Sequence, residues 1–206
     1  MRKTSFVRTF FVVLAVTTLL LGCSGMATKP SQSNFKEPVV TLSHAEVANY
    51  WGWWYFAKSI EPTAGEAGDY GAPLNLAFIF DLENPNPYPI QLESLMFTVA
   101  FEEFDLNTVQ SIDTQWIPPG KTNQIRVHAM FDGRQSMLSL LVTGGFQLQE
   151  KGMGTGAGAA LKQLGEWWTT IPEFDFDVFL KEGSAVFTAD GETKVVSFNA
   201  QYPPAN

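Results

Sequence analysis

The stretch FDLENPNPYPIQL, residues 80–92, sets three prolines in alternation, Pro85, Pro87 and Pro89, between two runs that alternate apolar and polar residues. Proline has a fixed φ and no amide proton to give to a β-ladder, so this segment cannot be a central strand. Each proline also holds its predecessor, Asn84, Asn86 or Tyr88, in extended geometry. The segment is therefore stiff, extended and unpaired on one side, and it reads as a crossing between strands at a sheet edge. The side-chain amides of Asn84 and Asn86 can satisfy backbone groups that the prolines leave open.

The runs on either side are strands. Leu74, Leu76, Phe78, Phe80 and Leu82 alternate with residues of the opposite face, at period two. After the prolines, Ile90 and Leu92 lie at even positions, but Leu95, Phe97, Val99 and Phe101 lie at odd ones. A straight strand would place the two sets on opposite faces, whereas a β-bulge near Glu93–Ser94 brings all six to one side. Further strands are expected at 39–47, 109–116, 124–131, 173–180, 184–189 and 194–200. FQLQEK (146–151) is also strand-like, and Asp190–Gly191 makes a hairpin turn. Residues 133–145 read as a short helix ended by two glycines. Residues 155–170 read as a second helix, with a stripe at Ala160, Leu161, Leu164, Trp167, Trp168 and Ile171, stopped by Pro172. Many short antiparallel strands with one or two short helices predict an all-β fold, an antiparallel β-sandwich.

The N-terminus carries a different message. MRKTSFVRTF is a basic start, and FFVVLAVTTLLLG is an apolar run shorter than the roughly 20 residues a membrane span needs. It ends in LLGC, Leu20–Cys23, which resembles a bacterial lipobox and contains the only cysteine of the chain. Residues 1–22 are thus expected to be a lipoprotein signal peptide and Cys23 the lipidated first residue of the mature chain. The alternative is a secreted protein with a free thiol. Ser24, rather than aspartate, follows Cys23 and points to the outer membrane, facing the periplasm. Residues 23–38 are polar and Pro-containing and read as a flexible tether; the folded domain is expected over 39–206.

Net charge is −8, and three cations lie in the first ten residues, so cleavage would leave −11. Nucleic acid as a partner is excluded by so acidic a body. No catalytic constellation emerges either. His44 and His128 are the only histidines and neither neighbours a nucleophile motif. GMGTGAG (152–158) lacks the Lys-Ser/Thr of a phosphate loop. Glu173, Asp175 and Asp177 would share one face of a strand, which reads as a solvated face rather than a calcium site. The chain is expected to bind no metal or cofactor and not to be an enzyme. The run Tyr50–Phe56 holds six aromatics, and Trp51, Trp53 and Trp54 are the candidates for a contact surface toward a partner or a bilayer interface.

FIFDLENPNPYPIQLESLMFTVAFEEFDL resembles the water-stress and hypersensitive-response (WHy) domain of the group-2 late embryogenesis abundant family. The shared pattern is an apolar strand, Asn84-Pro85-Asn86, further proline, then a longer strand. It continues in WIPPGKTNQIRV and in the short Leu-rich helix near 137–142. The resemblance covers about residues 39–150; the helix at 155–170 reads as an insertion. It implies an immunoglobulin- or fibronectin-like sandwich, a structural role for the Asn-Pro-Asn motif, and protection of proteins or membranes during desiccation or other stress. Expected partners are the membrane, through the anchor, and unfolded client proteins or one envelope protein. A dedicated protein-binding module in an envelope assembly is the alternative.

Overall fold

The computed structural model describes residues 28–53, 72–142 and 144–205. Cys23 and Trp54 therefore lie outside the described residues, as does half of the aromatic run. The strands are β1 (Val39–Tyr50), β2 (Leu74–Glu83), β3 (Ile90–Phe101), β4 (Phe104–Ser111), β5 (Gln115–Ile117), β6 (Thr122–Phe131), β7 (Val178–Ala189) and β8 (Glu192–Tyr202). Three helices, α1 (Gly133–Val142), α2 (Gly145–Glu150) and α3 (Gly156–Thr170), lie between β6 and β7.

The strands form two antiparallel sheets. One has the order β1-β2-β6; the other has β4-β3-β7-β8, with β5 pairing β3 beyond the end of β4. This is the all-β sandwich that the alternation predicts. The odd-numbered apolar side chains of β6 and the even-numbered ones of β2 are buried between the layers. All six apolar residues of β3 are fully buried, and its register against β7 shifts between Leu92 and Ser94, where the phase change requires a bulge. Phe78 and Phe80 of the first sheet meet Phe97 of the second at centroid distances of 5.5 and 5.4 Å, edge-on or tilted, which joins the layers at mid-core.

Five expectations change. The strands expected at 173–180 and 184–189 belong to one strand, β7, which runs through a register shift between Leu180 and Gly183 with Glu182 left-handed (φ 53°). The proline stretch is not at a sheet edge: it carries the chain from β2, the middle strand of one sheet, to β3, an interior strand of the other. Prolines are tolerated there because both ladders have ended. FQLQEK is not a strand but the body of α2. A strand would put Phe146 and Leu148 on one side, whereas the helix buries Leu148 and leaves Phe146 84% exposed. The 173–180 strand begins only at Val178, because Phe174 adopts a left-handed backbone (φ 51°) after the 3-10 turn Ile171–Glu173. Glu173, Asp175 and Asp177 therefore do not share a strand face. The 109–116 strand is divided into the end of β4 and β5 by residues 112–114.

At the hairpin between β7 and β8, both Asp190 (φ 48°) and Gly191 (φ 87°) are left-handed, as a tight two-residue connection needs.

Candidate functional site

Asn84 is completely buried where β2 ends. Its side-chain amide nitrogen donates to the carbonyls of Tyr88 (2.8 Å), Ile117 (3.0 Å) and Pro118 (3.2 Å). Its Oδ1 accepts from the backbone N–H (2.9 Å) and the amide nitrogen (3.1 Å) of Asn86. One side chain thus closes the corner between β2, the Pro-rich crossing and the turn that follows β5. The Tyr88 carbonyl lies in the crossing, where the prolines supply no amide protons, while the Pro118 carbonyl also accepts from the backbone N–H of Lys121 (3.2 Å).

Asn86 faces the N-terminal segment. Its Oδ1 accepts from the backbone N–H of Lys36 (2.8 Å), and its Nδ2 donates to the carbonyl of Lys36 (3.0 Å), as a neighbouring strand would. The Tyr88 hydroxyl donates to Asn34 Oδ1 (3.0 Å), and the Phe35 ring packs edge-on to Tyr88 at 6.2 Å. Lys194 Nζ sits 5.8 Å from the Phe35 centroid, and Lys29 pairs with Asp190 at 3.6 Å. Phe35 and Pro38 are buried. The later half of the expected tether is therefore a docked arm. Phe35 and Pro38 are among the few apolar residues in an otherwise polar stretch, and that was the available signal.

At the opposite end, α3 closes the sandwich. Trp167 and Trp168 insert into the core, with Trp167 5.6 Å from Phe101 and 5.4 Å from Phe104. Trp168 Nε1 donates to the Ala72 carbonyl at 2.6 Å, and the Tyr50 hydroxyl donates to the Trp168 carbonyl. The helix read as an insertion is thus the plug of the core. Leu161, assigned to its apolar stripe, is 41% exposed, and Gln163 is buried instead.

This plug accounts for part of the aromatic run. Trp53 is half-buried and tilted against Trp168 at 6.2 Å, and a Cβ on Gly165 would meet its Nε1 at 3.1 Å. Trp51 is 52% exposed. Of the two described tryptophans proposed as contacts, only Trp51 is mainly solvent-facing. Sequence reasoning missed a larger exposed apolar group on the helices. Leu138, Leu141 and Val142 are exposed at i, i+3 and i+4 of α1, hence on one face, and Phe146 follows on α2. Residues 135–149 contain no charged side chain.

The histidines lie on the outer face of the three-stranded sheet. His44 Nε2 is 3.1 Å from Glu46 Oε1, and Arg126 pairs with Glu46 Oε2 at 2.7 Å. The His44 hydrogen bond, then that of Arg126, holds the Glu46 carboxyl below its usual range. His128 is exposed beside Asn75. Among the described residues, no group of three or more His, Cys, Asp or Glu side chains is arranged to hold a metal ion. Of the carboxylates after α3, Asp177 accepts a surface hydrogen bond from Gln201 (2.9 Å). Lys151 bridges Glu103 (2.6 Å) and Glu102 (3.7 Å) beside α2; the Glu103 hydrogen bond leads in holding its ammonium above the usual range. No described helix is long and apolar enough to cross a membrane.

No protein-family model matches the chain, and no curated protein matches it. Among solved structures, a protein from Archaeoglobus fulgidus aligns over 81% of this chain and 92% of its own, at 6% identity and a TM-score of 0.38. The X-ray structure of Northeast Structural Genomics Consortium target SoR45 aligns over 83% of this chain and 88% of its own, at 10% identity and a TM-score of 0.41. At these values the functional reading comes from this chain's own residues.

Proposed function

We propose that this chain is a non-catalytic, lipid-anchored protein of the bacterial cell envelope, of the group-2 late embryogenesis abundant kind, which protects proteins during desiccation or other stress. The observation that carries the reading is the exposed apolar group Leu138, Leu141, Val142 and Phe146 in an uncharged stretch of the helical end. Isolated surface leucines need no explanation, but four large apolar side chains within nine residues form a surface suited to covering apolar patches on another protein. Burying one such side chain contributes about 1.5–3 kcal/mol, enough for reversible contact when several act together. The acidic remainder keeps a loaded complex soluble.

The test is light scattering of a heated or dried reporter enzyme with the protein in several-fold molar excess. Protection should survive a chelator and fall sharply for the Leu138→Ser/Phe146→Ser variant, whose fold is checked by circular dichroism. Absence of protection by the wild type removes this reading. A single stoichiometric partner captured by the same surface would instead favour the second reading, a dedicated protein-binding module.

A further inference from the structure

We infer that the Asn-Pro-Asn corner fixes how the domain stands on its membrane: the corner end faces the lipid headgroups and the helical end points away. The inference rests on Cys23 being the lipidated residue.

Three observations combine. First, the docked arm brings the chain to the corner end. Residues 31–38 are held there by the two-way Lys36–Asn86 bond, the Tyr88–Asn34 bond and the buried Phe35 ring, and Lys29 is paired with Asp190 in the β7–β8 turn. Only five peptide links separate Cys23 from Thr28. Whatever their conformation, they span at most roughly 18 Å. Second, β1 carries the chain from this corner to the opposite end over twelve residues, a rise of roughly 40 Å. The helical end could touch the same bilayer only if the domain lay on its side.

Third, charge opposes that posture on an anionic surface. The corner end carries Lys29, Lys36, Lys121 and Lys194 against Glu37, Asp81, Glu83, Glu93, Asp190 and Glu192, only a small acidic excess. At the other end, ten carboxylates stand against four cations across the β3–β4 turn with the start of β4, the 132–170 helical layer and residues 173–182. An anionic headgroup layer therefore repels the helical end and tolerates the corner. Asn86 is a positioning residue in this scheme: without its clasp on Lys36 the arm becomes a longer leash and the preferred posture weakens.

The experiment uses the full-length protein, expressed and processed in a bacterium and reconstituted in vesicles of phosphatidylcholine and phosphatidylglycerol. A fluorophore is placed at Thr122→Cys, at the corner end, or at Gln149→Cys, after α2, and quenched by lipid spin-labelled at the headgroup. The 122 probe should be quenched several-fold more than the 149 probe. Asn86→Ala should narrow that difference, as should a Lys36→Glu/Lys121→Glu/Lys194→Glu variant, each shown folded by circular dichroism. Intact mass of the same preparation reports acylation separately. An unacylated Cys23 overturns both the anchor reading and the orientation. An acylated chain with equal quenching, or with stronger quenching at 149, overturns the orientation alone.

Discussion

Replacing Asn84 with alanine removes the most connected side chain of the corner. Its Nδ2 has two protons shared among three carbonyls, those of Tyr88, Ile117 and Pro118, while its Oδ1 accepts from the backbone and side chain of Asn86. Alanine would strand at least two buried carbonyls and one backbone N–H, in a site with no solvent exposure. Each lost bond that leaves a buried group unsatisfied costs about 1–3 kcal/mol, and local relaxation recovers part of this, so the expected destabilisation is about 3 kcal/mol. That exceeds what one hydrogen bond would give and follows from the count of partners.

Asn84→Asp is the sharper control. It has almost the same shape but turns acceptor oxygen toward three carbonyls. Burial and these dipoles would raise the aspartate pKa in the folded state above its unfolded value, so this variant should gain stability as pH falls through that raised pKa, when the acid becomes a donor. Urea denaturation followed by tryptophan fluorescence, with Trp167 and Trp168 as buried reporters, measures both. At a urea slope of about 2 kcal/mol/M, the alanine variant should lose roughly 1.5 M in midpoint. A midpoint equal to wild type, or an aspartate variant no more stable in acid than at neutral pH, would refute the role assigned to Asn84.

Other changes test other parts of the fold. Gly183→Ala should cost about 1–3 kcal/mol in urea denaturation, because a Cβ there would lie 2.5 Å from the Phe198 carbonyl oxygen and 2.6 Å from its ring; an unchanged midpoint would contradict the close β7–β8 approach. Gly165→Val should displace the Trp53 indole from α3 and change the near-ultraviolet circular dichroism while leaving the far-ultraviolet spectrum intact; identical near-ultraviolet spectra would separate the aromatic run from the helical plug. Glu46 should titrate below the usual carboxylate range in a carboxyl NMR titration, and His44→Ala and Arg126→Ala should each raise it. Its pKa is depressed on folding, so its small contribution to stability is present above the unfolded value and fades as pH falls through the folded one. A Glu46 resonance unmoved by either change would remove both contacts as the cause.

Most of the sandwich was legible because long parts of its strands, β2 and β6 above all, obey period two. The six apolar residues of β3 needed one added inference, the bulge, and the phase change itself supplied it. The 146–151 and 173–178 stretches misled for one reason: short alternation fits a strand, yet helical backbone in the first and the left-handed Phe174 in the second override it, and tertiary packing decides which of two faces is buried. The Asn-Pro-Asn motif announced a corner, but its partners did not follow from sequence. Lys36 is fifty residues from Asn86, and Ile117 is thirty-three from Asn84. The exposed group on α1 and α2 was hidden for a related reason. In the Leu-rich helix the sequence does not mark which apolar residues face the core; packing buries Leu140 and leaves Leu138, Leu141 and Val142 outside.

The most direct test of the account places a photo-cross-linking amino acid at position 146, and separately at position 36, in living cells subjected to drying. Position 146, on the exposed helical end, should capture many different proteins, with yield rising as water is lost. Position 36, on the clasped arm at the corner, should capture few. One dominant adduct at 146 would establish a dedicated partner module in place of a general protectant. No adducts at 146, or equal adducts at both positions, would contradict the claim that the helical end is the working surface.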